Sequence, residues 1–400
     1  MNPHLMQIIE IGQDKKLISK FHLFARQLYH GNPYWIEPIH ADIDKLFDPE
    51  KNNLFSEGAE ATRILVFNDQ KEVIARCAVF INPRTVNRSN DQPTGGMGFF
   101  ECIEDQEVAF AVFDWAKNWL VARGMEAMDG PINFGERDNW WGLLVDPFDL
   151  PPSWGMPYHQ SYYRSFFEAY GFQDYFQQYT YWLPIPEEEA KKHVRPALFE
   201  RAERIYQAPG YHFEHVDKKN LDKYAHAFRV IYNKAWAKNL ATGEMSENRA
   251  KAIMKMFKPI MEPELMWFGF FEGEPVAFFI MIPDLNQIFK YVGGKMDWKG
   301  KLIFLYHKLR KTNRKARGVI FGVIPEFQGR GVESAIALSF SKVCWVPNYQ
   351  YTELELNWIG DFNPKMLGIV NLLGAKKYKT YISYRYLFDR TKPFTRHPAI

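Results

Sequence analysis

The pattern of apolar and polar positions divides the chain into two halves that repeat one order of elements. Alternating apolar residues predict strands, and apolar residues spaced three or four apart predict helices. The first half gives a strand at residues 6–11, a helix at 14–30, a hairpin at 61–81 and a strand at 97–103. A helix at 104–124, a short strand at 125–134, a helix at 161–172 and a strand at 177–185 follow. The second half gives a strand at residues 211–216, helices at 220–238 and 246–261, a hairpin at 264–282 and a strand at 319–324. A helix ending near residue 343 follows, and then a strand at 352–359, a helix at 363–375 and a strand at 380–388.

A Pro-, Glu- and Lys-rich segment at residues 184–205 separates the two halves. A chain of 400 residues is long enough for two domains. We therefore predict a first domain at residues 1–194 and a second at residues 195–400.

Composition and charge narrow the class of protein. Apolar residues make up 46% of the chain, yet no apolar run is long enough to cross a bilayer, and the N-terminus lacks the features of a secretion signal. These features predict a cytoplasmic protein. A net charge of only +3 argues against binding nucleic acid over the whole surface. Cys77, Cys102 and Cys344 lie far apart, so we expect three buried thiols and no metal site.

A glycine-rich loop joins a predicted strand to a predicted helix in the sequence PEFQGRGVESAIALSF, residues 325–340. The first backbone N–H groups of a helix have no partners within it, and its dipole adds positive charge there. Gly329 and Gly331 allow the backbone to approach a ligand closely, and Arg330 can offset negative charge. The loop therefore predicts a pyrophosphate site, with a tight turn that binds no ligand as the alternative.

This order of elements resembles the GCN5-related N-acetyltransferase (GNAT) family, in a tandem bacterial form. Gln328, Gly329, Arg330 and Gly331 match that family's loop, whereas Glu333 stands where a third small residue is usual. The resemblance implies an α/β (α+β) fold of two GNAT-like domains, each a mixed, mostly antiparallel twisted sheet flanked by helices. It also implies binding of an acyl-CoA. The residues expected to hold the pantetheine arm are Phe321, Gly322, Val323 and Ile324; those expected to hold the pyrophosphate are Gln328, Gly329, Arg330, Gly331 and Val332.

Two further comparisons with the family concern the helix junctions. Asn363 resembles a position that touches CoA, and its alternative role is an ordinary helix N-cap. In the first half, residues 104–107 read EDQE, with three acids and no glycine. We therefore predict that the first domain is degenerate and does not bind CoA. The Tyr that often protonates the thiolate is replaced by Val370 and Phe167.

Candidate residues for proton transfer lie on one strand and in one loop. Alternation places Glu355 and Asn357 on the same face of the strand at residues 352–359, which suits a base and a residue that orients the acceptor; a solvated strand face is the alternative. The long loop at residues 135–163 carries His159, a candidate base with a pKa near neutrality. A histidine in such a loop can equally be solvated or bonded to the backbone.

The basic segment at residues 301–317 has three interpretations. Its charged residues include Lys308, Arg310, Lys311, Arg314, Lys315 and Arg317. They can form a solvated helix face, contact a CoA phosphate, or bind an anionic membrane surface.

The sequence thus predicts an acyl-CoA-dependent N-acyltransferase. An amine would attack the thioester directly, since no cysteine lies in an activated setting. The acceptor is either a small amine or an amino-lipid. Two alternatives stay open, namely an aminoacyl transferase like the Fem enzymes and an inactive GNAT-fold binding protein.

Overall fold

The computed structural model describes residues 6–87, 91–135, 137–236 and 244–398. In the first half, the strands are β1 (Gln7–Glu10), β2 (Glu60–Phe67), β3 (Val73–Ile81), β4 (Thr94–Cys102), β5 (Ala127–Gly130), β6 (Leu143–Asp146) and β7 (Gln173–Pro184), and the helices are α1 (Lys15–Leu28), α2 (His40–Asp44), α3 (Gln106–Val121) and α4 (Tyr163–Tyr170). The segment after β7 forms α5 (Glu187–His193) and α6 (Pro196–Gln207). In the second half, the strands are β8 (Tyr211–His215), β9 (Met266–Phe271), β10 (Glu274–Pro283), β11 (Lys315–Val323), β12 (Glu353–Gly360) and β13 (Lys376–Leu387), and the helices are α7 (Leu221–Trp236), α8 (Glu247–Phe257), α9 (Asn286–Phe289), α10 (Trp298–Leu309), α11 (Val332–Cys344) and α12 (Pro364–Leu372).

The strands of both halves join into one continuous sheet. Their order is β1-β2-β3-β4-β5-β13-β7-β12-β11-β10-β9-β8, and β6 pairs with β13. Most neighbours are antiparallel, while β4–β5 and β11–β12 are parallel. The predicted fold class, a mixed and mostly antiparallel sheet flanked by helices, is confirmed.

The last strand of each half lies beside the fifth strand of the other half. Strand β7 ends the first half but pairs with β12, and β13 ends the second half but pairs with β5. The two exchanged strands also pair with each other along most of their length. The halves therefore share their backbone hydrogen bonds at the centre of the sheet, and the predicted division at residue 194 falls between α5 and α6.

Each half has its own apolar core, completed by the exchanged strand. Ile382, Tyr384 and Tyr386 of β13 belong to the core of the first half. Leu183 of β7 and Ile185 immediately after it belong to the core of the second half. Separating the halves would expose both sets of side chains to water, so apolar burial holds the two halves together.

The structure adds one element to the sequence prediction and corrects one interpretation. Within the long loop at residues 135–163, Leu143–Asp146 pairs with β13 as strand β6. The basic segment at residues 301–317 is not one solvated helix face: α10 ends at Leu309, and Lys315 and Arg317 are buried in β11. Across the described ranges, no helix has the length and apolar character needed to span a bilayer.

Candidate functional site

Strands β11 and β12 separate from each other partway along their length. Their parallel pairing runs from Lys315–Glu353 to Gly318–Leu356 and stops there, although β11 continues to Val323 on its β10 side. Beyond Gly318, the described edge of β11 that faces β12 has no strand partner. This gap leaves backbone groups of β11 accessible to a ligand.

The glycine loop follows β11 directly. The Gln328 side-chain amide donates to the Val323 carbonyl at 3.0 Å, which ties the loop to the strand end. Gly329 and Gly331 have φ angles of 73° and 104°, in the left-handed region that favours glycine. Gly331 caps α11 and brings no side chain to the helix N-terminus. Among described residues, no well-aligned hydrogen bond occupies the backbone N–H groups of residues 329–334. Gly329 and Arg330 are exposed, whereas residues 331–334 are buried and α6 lies against Gly331, so an anion reaches these donors from the exposed end of the loop.

The equivalent helix start in the first half is closed. Asp105 caps α3, and its carboxylate accepts from the N–H groups of Glu107 at 2.9 Å and Val108 at 3.3 Å. The carboxylate occupies the donors that would otherwise bind an anion, and its negative charge repels phosphate. That this half does not bind CoA stays a prediction.

An apolar cavity of about 110 Å³ lies between α11 and the strands beside the gap. Its walls are α11, α12, β12 and β11, and α5 and α6 cover it. The lining runs along α11 from Glu333 to Cys344, and it includes Phe321 and Leu356 at the gap. A volume of about 110 Å³ accommodates a small apolar group.

Glu333 lies in the wall of this cavity. It is 9% exposed, and none of the described residues bonds to its carboxylate. The side chain thus belongs to the cavity lining, whereas Gly329 and Arg330 lie exposed in the loop. Whether the carboxylate avoids a bound phosphate stays a prediction.

A buried charge cluster lies on the other side of β12, centred on Glu355. Its carboxylate pairs with Lys315 and with Lys379 at 2.9 Å, and it accepts from the Ser153 hydroxyl at 2.7 Å. Burial alone would raise the pKa of Glu355, but Lys379 and Lys315 outweigh burial and hold it well below its ordinary value. Burial, opposed by Glu355, lowers the pKa of Lys379 to about 8.

This environment bears on two earlier expectations for Glu355. The alternative of a solvated strand face is wrong, since Glu355 is 1% exposed. A carboxylate with so low a pKa is a weak base, so the site gives no support to Glu355 as the proton acceptor. That role stays an untested prediction.

Asn357 lies next to this cluster, held by Arg317. Its side-chain oxygen accepts from Arg317 at 2.9 Å, and the same guanidinium donates to the Trp154 carbonyl. Trp154 is held on its other side as well, because the Asp284 carboxylate accepts from the Trp154 N–H at 2.8 Å. The long loop of the first half is therefore fastened to the strands of the second half beside the gap.

Several polar atoms near this cluster have no hydrogen-bond partner among the described residues. They belong to Gln178 and Thr180 of β7 and to Tyr381 and Ser383 of β13, all at most 1% exposed. Lys379 lies directly opposite Thr180, and Tyr381 opposite Gln178, so these side chains share one face of the sheet. Buried polar groups usually have partners, which makes this face a candidate binding surface for a polar group.

His159 and Asn363 have local structural contacts. The His159 Nδ1 accepts from the Leu144 N–H at 3.0 Å, and burial lowers its pKa to about 3. The expected pKa near neutrality is wrong, and the alternative of a bond to the backbone is confirmed. Asn363 caps α12 by accepting from the Met366 N–H at 3.1 Å, and its contact with CoA stays untested.

The sequence did not reveal Lys315, Lys379, Arg317 or Ser153 as parts of the site. Lys315 and Arg317 were grouped with a basic surface run, and Lys379 lies just before the strand predicted at residues 380–388. The three cysteines are buried free thiols, as expected. The described residues contain no group of three or more His, Cys, Asp or Glu side chains able to hold a metal ion.

Strand order, the gap between two parallel strands and the glycine loop after the first of them define a tandem GNAT fold. A tandem GNAT protein from the clavulanic acid biosynthesis pathway superimposes with a TM-score of 0.55 at 10% identity, covering 98% of this chain and 100% of that one. A GCN5-related glucosamine N-acetyltransferase region of a fungal multi-domain GH3 beta-N-acetylglucosaminidase gives 0.55 at 12% identity, covering 96% of this chain and 38% of that one. The predicted family resemblance is confirmed at the level of fold.

Two curated relatives are similar over nearly the whole chain. It is 23% identical over 378 residues to Protein YghO of Escherichia coli (strain K12), covering 93% of both chains. It is 25% identical over 372 residues to the Bacterial ceramide synthase of Caulobacter vibrioides (strain NA1000 / CB15N), covering 92% of this chain and 94% of that one. No protein-family model matches the chain.

Proposed function

We propose that the protein is an acyl-CoA-dependent N-acyltransferase whose acceptor is an amino-lipid. The observation that carries this proposal is the contrast between the two helix starts. The backbone N–H groups before α11 have no partner among described residues and adjoin an apolar cavity and a strand gap, whereas Asp105 occupies the equivalent donors in the first half. In this assignment, the loop binds the CoA pyrophosphate, the unpaired edge of β11 binds the pantetheine arm, and the cavity takes part of the acyl chain.

The two faces of the gap suit the two reactants. The lining of the cavity is almost entirely apolar, as an acyl chain requires, and the opposite face carries Asn357, Lys379 and the unpartnered polar groups. The amine would approach from the polar face and attack the thioester carbonyl. The new C–N bond replaces the C–S bond, the amine loses a proton, and the released thiolate takes one up.

Direct attack is favoured over a covalent enzyme intermediate. Cys344 is the cysteine that lines the cavity, and burial raises its pKa to about 12. A thiol is a poor nucleophile when it stays protonated at neutral pH. No other described cysteine lines that cavity.

The amino-lipid acceptor rests on the relative called a bacterial ceramide synthase. A ceramide is the amide of a fatty acid and a long-chain amino alcohol, so its formation from a thioester is an N-acylation. The apolar cavity supports an acyl donor longer than acetyl for this chain. A release assay for the CoA thiol, run with acetyl-CoA and palmitoyl-CoA against long-chain amino alcohols and small amines, tests the assignment.

Calorimetry provides the matching binding test. We expect one CoA molecule to bind per chain, because Asp105 closes the first half. Failure of CoA and of every acyl-CoA to bind at millimolar concentration would contradict the proposal and favour a binding protein that lost the activity.

Replacing Gly329 by Asp is expected to weaken CoA binding at least about tenfold, or about 1.4 kcal/mol, because it places a negative charge in the glycine loop. No atom lies within 4 Å of a Cβ built at Gly329, and Asp tolerates its left-handed backbone. Gly329→Asn is the matched neutral control and should lose much less affinity by calorimetry. Equal affinities for the two variants would place the pyrophosphate elsewhere.

Replacing Ala337 by Phe should block the middle of the cavity. We expect kcat/KM for palmitoyl-CoA to fall at least about tenfold more than that for acetyl-CoA, since each buried methylene contributes about 0.8 kcal/mol of apolar transfer. Val346→Phe adds a ring at an exposed position just beyond the same helix and serves as the control. Equal losses with both donors would mean that the acyl chain lies outside the cavity.

A further inference from the structure

Helix α10 presents an apolar stripe to solvent. Trp298, Leu302, Leu305 and Leu309 follow helical spacing along one face and are 67%, 57%, 50% and 74% exposed. Six of the ten large exposed apolar residues in the described chain lie between residues 291 and 309; the other two are Tyr291 and Tyr306. Such a concentration differs from the scattered apolar residues of an ordinary surface and indicates an interaction site.

The opposite side of α10 faces the protein, with Gly300 buried and Phe304 partly buried. Phe304 contacts Phe289 with ring centroids 5.9 Å apart, within a cluster that includes Leu285 and Trp154. Asp297 caps the helix by accepting from the Gly300 N–H at 3.0 Å. The helix is thus held by its inner face, and the fold does not require the exposed stripe.

Positive charge surrounds the stripe. Residues 290–311 contain seven basic residues and one acidic residue, Asp297. The basic residues are Lys290, Lys295, Lys299, Lys301, Lys308, Arg310 and Lys311. None of them forms a salt bridge with a described residue, although Lys308 donates to the Pro259 carbonyl at 2.5 Å. The segment therefore offers charge for an anionic partner.

We propose that α10 binds the surface of an anionic lipid bilayer, with its stripe in the boundary between headgroups and acyl chains. Trp and Tyr favour this boundary because their rings are apolar and their tips polar, and flanking Lys side chains reach the headgroups. A second copy of the chain is a poorer occupant, since a symmetric contact would bring two basic surfaces together. The helix lies in the plane of the membrane and does not cross it.

This surface is one packing layer from the polar face of the strand gap. Trp154 belongs to the cluster beneath α10, and its backbone bonds to Asp284 and Arg317. Membrane binding would therefore bring lipids close to the proposed acceptor side. The inference itself rests on α10 alone and does not depend on the proposed activity.

Sedimentation with lipid vesicles tests the proposal without any enzymatic readout. The full chain is mixed with phosphatidylcholine vesicles and with vesicles that also contain phosphatidylglycerol. We expect binding to the anionic vesicles to be at least tenfold tighter and to weaken with salt. Leu305→Gln/Leu309→Gln should reduce that binding at least tenfold, and Lys299→Gln/Lys301→Gln should reduce its salt dependence.

Leu23→Gln/Val121→Gln is the matched control, because it removes two exposed apolar residues far from α10 in sequence; its vesicle binding should equal that of the unaltered chain. Absence of vesicle binding would overturn the proposal, as would equal binding by the Leu305→Gln/Leu309→Gln variant. Self-association in sedimentation velocity that this variant abolishes, without vesicle binding, would assign the stripe to a second copy and also overturn it.

Discussion

Replacing Glu355 by Gln is expected to lower the free energy of unfolding by about 3–5 kcal/mol, because it leaves buried cations without their partner. Lys315 and Lys379 are 3% and 1% exposed, and both pair with this carboxylate. Denaturant unfolding monitored by circular dichroism measures the change. This loss of stability should be much larger than the loss caused by removing a surface salt bridge, which is typically about 0–1 kcal/mol.

Two variants control this experiment. Glu353→Gln alters a half-buried carboxylate on the same strand that accepts from Trp182 at 2.8 Å but forms no salt bridge with a described residue. It should cost about 1 kcal/mol. Adding Lys379→Met to Glu355→Gln removes one unpaired cation and should recover part of the loss. A Glu355→Gln protein that keeps its stability but loses turnover would instead support the role of Glu355 as a base.

Acidification is expected to destabilise the fold through His159. Its folded pKa is about 3, whereas an unfolded His has a pKa of about 6.5. The unfolded chain therefore binds a proton first, and stability present above pH 6.5 is lost as the pH falls towards 3. A single group with this shift contributes up to about 4–5 kcal/mol.

The His159 contribution is isolated by comparing variants across pH. In His159→Asn, the side-chain oxygen can accept from the Leu144 N–H but does not titrate, so the loss of stability between pH 6.5 and 3 should be smaller than in the unaltered chain. The exposed His30→Asn variant should keep the original pH dependence. Identical pH profiles for all three proteins would contradict this prediction. They would mean that His159 is hydrated in the folded protein and takes up its proton at the same pH as in the unfolded chain.

The two halves contribute different parts of the candidate site. The second half has the glycine loop and the apolar cavity. The first half contributes Ser153 and Trp154, which contact Glu355, Asp284 and Arg317 across the centre of the sheet. The two halves are therefore joined by polar contacts beside the strand gap as well as by the exchanged strands.

The order of the elements and the glycine loop could be predicted because both are local properties. Strand alternation, helical spacing and the capping residues act within a few positions, and Gly331 and Asp105 distinguish the two helix starts by their own chemistry. The alternation in the strand at Glu355 also correctly placed one apolar and one polar face.

The tertiary structure decided which strands are neighbours and which polar residues are buried. Alternation shows which residues share a face but not what covers that face, so a solvated strand face stayed open as the alternative for Glu355, which is buried. The exchange of β7 and β13 brings together residues more than 190 positions apart, as in the Tyr381–Gln178 pair. The sequence by itself determined the repeated elements and the glycine loop. The charge cluster depends on non-local strand pairing, because its ions are stabilised by partners that only the assembled sheet supplies.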